Sequence, residues 1–167
     1  MLQMDKNTIT ERMHQLEGII CYSFKEIEHL SLAMNVIKVT STYNGKHNKE
    51  YKNSGLATVG DAMLKAVLAD YLYQNSSGNK GDITITKSAL ENNEKLTKIS
   101  KKNGIRKFAY NEKHFADDPD ILLHEQLPDN EHDPYIEAIV GAIYYDAGFE
   151  AVQRWVTEWL LPKLLNS

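Results

Sequence analysis

The chain has 167 residues, of which 42% are hydrophobic and 25% are charged, and its formal net charge is -4 at pH 7. This length and composition are ordinary for one globular domain over residues 1–167, and the acidic balance excludes a strongly basic, autonomous nucleic-acid binder. A single cysteine, Cys21, excludes an intramolecular disulfide framework and indicates a reducing compartment.

The N-terminal residues show no basic stretch followed by an apolar core, so no secretory signal is expected. The longest apolar run, residues 138–145, is far shorter than a membrane span. Together these observations predict a cytoplasmic protein without a membrane partner.

Apolar residues at helical spacing predict a first helix over residues 8–20 and a second over residues 25–37. Residues 40–53 are polar and contain the turn signal Tyr43-Asn-Gly-Lys46, so they predict an exposed loop. No Asn-Gly or Asp-Gly turn is flanked by alternating strands, and β structure is therefore expected to be minimal. A long helix is predicted over residues 54–74.

Residues 75–81 are rich in Asn, Ser and Gly and predict a break after this long helix. Helices are then predicted over residues 84–91 and 93–102, and Asn103-Gly104 ends the second of them. Residues 115–132 are acidic and contain prolines, which predicts a long surface loop.

The last two predicted helices cover residues 134–147 and 149–165 and are joined at Gly148. The expected fold class is therefore all-α.

Two of the predicted helices carry carboxylates that suit a metal ion. Asp61 follows Gly60 within the long helix, and Glu137 lies on the first turn of the helix that begins at residue 134. Mg²⁺ prefers oxygen ligands and keeps several of its waters. Two helices that each present a carboxylate therefore indicate a candidate Mg²⁺ site.

Several segments, taken in order, resemble the catalytic domain of the ribonuclease III family. Residues 22–33 are similar to the start of that domain's second helix. Asn53–Ala62 lies where the family has its signature, Asn-Glu-Arg-Leu-Glu-Phe-Leu-Gly-Asp-Ala. Residues 81–84 and 88–99 resemble the segments that follow, and residues 137–148 resemble the last catalytic helix.

The resemblance implies a homodimeric, all-α endonuclease domain that cuts double-stranded RNA with Mg²⁺, or with Mn²⁺, held by carboxylates. It implies catalytic and metal-binding roles for Asp61 and Glu137. The family's other acid positions fall on Ser54, Ala57 and Pro134, so the acidic site is eroded relative to the family.

Each remaining acid has two interpretations. Asp133 adjoins the position of the missing aspartate and is a candidate third metal ligand, or it is the N-cap of a helix that opens with Pro134. Asp61 is a site residue or forms an exposed ion pair with Lys65 one turn later. Glu137 is a site residue or a surface acid stabilised by the helix dipole.

A basic stripe on the helix over residues 93–102 is the candidate RNA contact. Lys95, Lys98 and Lys102 fall on one face and are predicted to touch phosphates, although a solvated helix face is the alternative. The sequence ends at Ser167, so the family's C-terminal double-stranded-RNA-binding domain is expected to be absent. RNA affinity is then expected to be weak unless a separate RNA-binding partner contributes.

Two functional hypotheses follow. The first is a metal-dependent endoribonuclease of double-stranded RNA that works with Asp61, Glu137 and Asp133. The second is a catalytically inactive, RNA-associated or dimerising module that keeps the fold. Asp82 and Glu91 are expected to be solvated acids in either case.

Overall fold

The structure is a computed structural model, and it describes residues 5–75, 79–81, 86, 90, 92–111, 115 and 133–166. The predicted helix over residues 84–91 and the predicted loop over residues 115–132 lie almost entirely outside these described residues, as do Asp82 and Glu91.

Most of the described chain is helical, which confirms the expected all-α class. A 3₁₀ turn covers Ile105–Phe108, and a π-helical segment, Val156–Leu160, joins the last two α-helices into one continuous element. The α-helices are α1 (Lys6–Ile20), α2 (Glu28–Met34), α3 (Ser54–Asn75), α4 (Asn93–Lys102), α5 (Tyr135–Ala147), α6 (Phe149–Trp155) and α7 (Leu161–Leu165).

The polar segment predicted as a loop is instead a β-hairpin, and that prediction is wrong. Strands β1 (Lys38–Tyr43) and β2 (Lys46–Tyr51) pair antiparallel. Asn44 and Gly45 both have positive φ, 50° and 74°, as the tight two-residue turn of a hairpin requires. Side chains on both faces of the hairpin are polar, so the apolar alternation that normally reveals a strand is missing.

Helix α2 is shorter than the predicted helix over residues 25–37. Its last residue is Met34, because Asn35 has extended backbone angles and forms a β-bridge with Tyr110. The Val36 N–H then donates to the Tyr110 carbonyl at 2.8 Å. This pairing of residues 35–36 with Tyr110 ends α2 before the hairpin begins.

The core lies between α3 and α5, which cross at two glycines. A Cβ atom on Gly60 would clash with the backbone carbonyl of Glu137, and one on Gly141 would clash with the backbone carbonyl of Leu56. Only residues without side chains allow the two helix backbones to come this close. Helix α5 is accordingly buried around most of its circumference, from Tyr135 to Ile143.

The two tryptophans of the C-terminal helices belong to this core. Trp155 and Trp159 are 4% and 7% exposed, and their rings stack with centroids 4.9 Å apart. Their indole N–H groups donate to the carbonyls of Ile20 and Ile19 at 2.8 and 3.2 Å. These bonds anchor the chain's end to the last turn of α1.

None of the described helices has the length and apolar character needed to cross a membrane.

Candidate active site

The α3–α5 crossing determines where the candidate acids lie. Gly60 rests on the backbone of Glu137, and Asp61 is the next residue along α3. Asp61 and Glu137 are therefore brought to the same side of the crossing. Their mutual influence is evident in the pKa of Glu137, which the negative charge of Asp61 raises.

Asp61 forms the ion pair that its spacing allows. Its Oδ2 lies 3.0 Å from Nζ of Lys65, one turn later on α3, and the two side chains are 39% and 48% exposed. An exposed pair of this kind contributes only about 0.3–0.5 kcal/mol to stability. The pair does place an ammonium group beside one of the two candidate carboxylates.

Glu137 is buried, being 5% exposed, and lies in the first turn of α5. Burial, followed by the negative charges of Asp61 and Asp133, raises the pKa of its carboxyl group to about 7, although the Lys65 ammonium opposes the shift. Asp61, Lys65 and Glu137, which we call the acid–lysine cluster, therefore interact electrostatically, and the charge of Asp133 also reaches Glu137.

Asp133 has partners other than a metal ion. Its Oδ1 accepts the backbone N–H of Tyr135 at 3.1 Å, and its Oδ2 lies 3.2 Å from Nε of Arg106, with both side chains buried. Burial raises the pKa of Asp133 to about 6, while the Tyr135 N–H and the Arg106 charge work against that rise. The helix begins at Tyr135, one residue later than predicted, and Asp133 still binds its first turn.

Arg106 is the partner that sequence reasoning missed. It lies in the 3₁₀ turn, is 5% exposed, and belongs by sequence to the basic stretch around residues 95–107. Its hydrophobic neighbours Ile105 and Phe108, both buried, are the local signal that this cation faces inward. A buried guanidinium needs a carboxylate, and Asp133 provides it.

The three positions where the resemblance expects acids contribute no carboxylate of their own. Ala57 is buried in the core at 5% exposure, and Pro134 directly precedes α5. The hydroxyl of Ser54 donates to Oε2 of Glu50 at 2.8 Å, which ties the first turn of α3 to strand β2.

The donor set does not fit a tightly held Mg²⁺ ion. Within the described part of the chain, no three Asp, Glu, His or Cys side chains converge where they could hold a metal. Asp61 and Glu137 offer the hard oxygen atoms that Mg²⁺ prefers, but Lys65 adds a positive charge at the same place. Asp133, the third predicted ligand, lies 3.2 Å from the Arg106 guanidinium through Oδ2, a buried oxygen that accepts no hydrogen bond from the described residues, so a positive charge already adjoins this carboxylate.

The predicted basic stripe lies on α4 and borders a cavity. Lys95 is half-buried, and Lys98 and Lys102 are exposed, with Lys98 Nζ 3.5 Å from Oε1 of Glu94. A cavity of about 410 Å³ opens between α4 and α7, and Lys98, Lys102 and Lys163 line it. The stripe thus remains a candidate anion-binding surface on a different element from the acid–lysine cluster.

Comparison with known proteins points to one family. The sequence model described as Ribonuclease-III-like matches residues 31–164. Ribonuclease 3 of Vibrio cholerae is 30% identical over 157 residues, covering 93% of this chain and 64% of that protein. Ribonuclease 3 of Idiomarina loihiensis is 28% identical over 164 residues, covering 98% of this chain and 64% of that protein.

The fold of the chain is also similar to that of a ribonuclease III nuclease domain. A solved structure of the nuclease domain of ribonuclease III from Campylobacter jejuni superposes with a TM-score of 0.68 at 24% identity, covering 90% of this chain and 97% of that one. The chain spans less than two thirds of the curated relatives it matches. Because the family model covers most of the sequence and the helical fold agrees, the chain belongs to the ribonuclease-III-like family.

Proposed function

We propose that this is a ribonuclease III-type domain that binds double-stranded RNA as a homodimer and has lost most of its capacity to cleave it. One observation carries the proposal. Of the family's five acid positions, only Asp61 and Glu137 keep a carboxylate, and the charges of Asp61, Lys65 and Asp133 all act on Glu137.

The loss of cleavage follows from the ligand count. The hydrolysis implied by the family requires a divalent ion that several carboxylates hold in place. Here Ser54, Ala57 and Pro134 occupy three of the five acid positions, and Asp133 pairs with Arg106. With Lys65 present as well, the site attracts a doubly charged cation much less than the family's full set of carboxylates would.

RNA binding and dimerisation are inferred from the family. The matched proteins are named ribonuclease 3, and one neighbour's structure concerns a region involved in dimer formation of the nuclease domain. Lys95, Lys98 and Lys102 are the proposed phosphate contacts. A chain with a net charge of -4 is expected to bind RNA weakly by itself. The proposal therefore includes a separate RNA-binding partner in the cytoplasm that supplies additional affinity.

One observation favours a second candidate, a metal-dependent endoribonuclease with a reduced ligand set. Asp61 and Glu137 remain close enough for one charge to raise the other's pKa. Two carboxylates suffice for a hydrated Mg²⁺ or Mn²⁺ when substrate phosphates complete the shell. In this case the exposed Lys65 side chain rotates away, because its ion pair is weak.

A cleavage assay on long double-stranded RNA, with Mg²⁺ and separately with Mn²⁺, distinguishes the two candidates. The proposal expects no metal-dependent cleavage by the wild type, with RNA binding intact. Cleavage that disappears in Asp61→Asn/Glu137→Gln would overturn it and establish the reduced metal site. The Ala57→Glu/Lys65→Ser variant, which adds a carboxylate one turn before Asp61 and removes the ammonium, is expected to bind Mn²⁺ more tightly by calorimetry.

A further inference from the structure

The β-hairpin stands apart from the core. Apart from half-buried Tyr51, every hairpin side chain with a described environment is exposed, including Tyr43 at 75% and Val39 at 37%. A two-stranded hairpin that buries no apolar face is at best marginally stable by itself. Its exposed side chains therefore form a surface that a partner molecule can contact.

The strand register divides the hairpin into two unlike faces. Residues directly opposite each other in an antiparallel pair point to the same side, and successive residues alternate. One face holds lysines, hydroxyls and a histidine and no carboxylate, whereas the other holds Glu50. The first, which we call the lysine–threonine face, consists of Lys38, Thr40, Thr42, His47, Lys49 and Tyr51.

Cross-strand contacts order this face. The Lys38 ammonium lies 5.5 Å from the centre of the Tyr51 ring, and Thr42 Oγ1 lies 3.0 Å from Nδ1 of His47. Lys38 and Lys49 are diagonal neighbours, two positions or about 7 Å apart along the strands. That separation is comparable with the distance between neighbouring phosphates on one nucleic-acid strand.

We propose that the lysine–threonine face binds the phosphodiester backbone of double-stranded RNA. The proposal rests on the RNA binding put forward above and assigns it to a surface that the family resemblance does not include. Charge complementarity carries it: the face holds Lys38 and Lys49 and no carboxylate, in a chain whose net charge is -4. Lysines supply sequence-independent affinity, and threonine hydroxyls donate to phosphate oxygens.

The base of the hairpin is attached to the helix that carries Asp61. The Lys52 N–H donates to the Ile37 carbonyl at 2.9 Å, and the Ser54 hydroxyl binds Glu50 at 2.8 Å. Asp61 then lies two helical turns, about 10 Å, into α3. Glu50 belongs to the opposite face of the hairpin, so its bond with Ser54 joins that opposite face, and not the lysine–threonine face, to the first turn of α3.

Fluorescence anisotropy with a short labelled RNA duplex, in EDTA, tests the inference without any contribution from cleavage. Lys38→Gln/Lys49→Gln is expected to weaken duplex binding by about fivefold or more. The slope of a plot of log Kd against log salt concentration is expected to fall by about one for each lysine removed. Lys46→Gln removes one charge from the opposite face of the same hairpin. This matched control is expected to change affinity by less than about twofold.

Three outcomes would overturn the inference. If Lys46→Gln weakens binding as much, per charge removed, as Lys38→Gln/Lys49→Gln does, the effect is one of net charge. If the double variant binds like the wild type, the hairpin is not the contact and RNA binding elsewhere on the domain stands. If the wild type binds no duplex but binds phosphatidylserine vesicles through Lys38 and Lys49, the partner is an anionic membrane surface and the proposed RNA function falls too.

Discussion

The pair formed by Asp133 and Arg106 joins two segments through charges that are almost fully removed from water. Arg106→Gln leaves the Asp133 carboxylate buried without its cation, at a cost of about 2–5 kcal/mol in the free energy of unfolding. The pKa of Asp133 is already raised to about 6, and losing Arg106 raises it further. The loss of stability is therefore expected to be larger at pH 8, where the carboxyl is ionised, than at pH 5.

Urea denaturation at both pH values measures this effect. The double variant Arg106→Gln/Asp133→Asn serves as the control, because it removes both charges and keeps an acceptor for the Tyr135 N–H. It is expected to recover stability relative to Arg106→Gln at pH 8. Equal losses in the single and double variants would show that the guanidinium acts by packing alone.

The raised pKa of Glu137 predicts a second effect of pH on the free energy of unfolding. Its pKa is about 7 in the folded protein and 4.5 without the fold, so the folded state retains a proton that the unfolded state releases. The free energy of unfolding therefore falls as pH rises from about 4.5 to 7. Glu137→Gln removes this slope and is expected to be more stable than the wild type at pH 8 by about 1–3 kcal/mol.

The measurement is again denaturation, at pH 4 and pH 8. Glu11→Gln, at an exposed position of α1, is the matched control and is expected to leave the slope unchanged. A Glu137→Gln variant that loses stability equally at both pH values would contradict the prediction. It would mean that the carboxylate makes a favourable contact that outweighs its burial.

Of the two ion pairs made by the candidate acids, local spacing predicts the Asp61–Lys65 pair and does not predict the Asp133–Arg106 pair. Asp61 and Lys65 are one turn apart, so their pairing was an explicit alternative in the sequence. Asp133 and Arg106 belong to different segments, and only the tertiary fold brings them together. The sequence therefore predicts Asp133 as the N-cap one residue too early, since Pro134 is the N-cap residue in the structure, and it does not reveal Arg106 as the partner of Asp133.

The α3–α5 crossing yields a prediction about packing between helices. Gly60→Ala places a methyl group against the Glu137 carbonyl, and the helices must separate, which is expected to cost about 1–3 kcal/mol or more. Gly55→Ala, in the first turn of the same helix, meets nothing within 4 Å. It is expected to raise stability by up to about 1 kcal/mol, since alanine favours helix.

Chemical denaturation of the two variants beside the wild type measures both changes. Equal effects of Gly60→Ala and Gly55→Ala on the urea midpoint would show that the close approach of α3 and α5 is not required. A selective loss in Gly60→Ala would show that the close approach of α3 and α5 contributes to the stability of the fold.

Helices and strands differed in how far the sequence revealed them. Helices α1, α3 and α5 bury apolar residues at the helical period, and their positions were predicted within a few residues. The hairpin buries almost nothing, so no apolar pattern distinguished strand from loop. The Asn44-Gly45 dipeptide favours a hairpin turn. It indicates a hairpin only if the flanking segments pair as strands, and that pairing is visible only in the structure.

The assembled domain is predicted to be a homodimer. Light scattering coupled to gel filtration is expected to give twice the chain mass of 19.0 kDa. A monomer at all concentrations would contradict the prediction and would leave the lysine–threonine face as a single, monovalent contact for RNA. A dimer would present that face twice, which raises affinity for a long duplex through effective concentration.

The glycine crossing has a consequence for the geometry of the candidate site. Gly60 lies directly against the Glu137 carbonyl, so backbone contact, and not the packing of flexible side chains, sets the spacing between the helix segments that carry Asp61 and Glu137. Substitutions elsewhere on α3 that leave Gly60 and Gly141 in place are therefore expected to preserve that spacing.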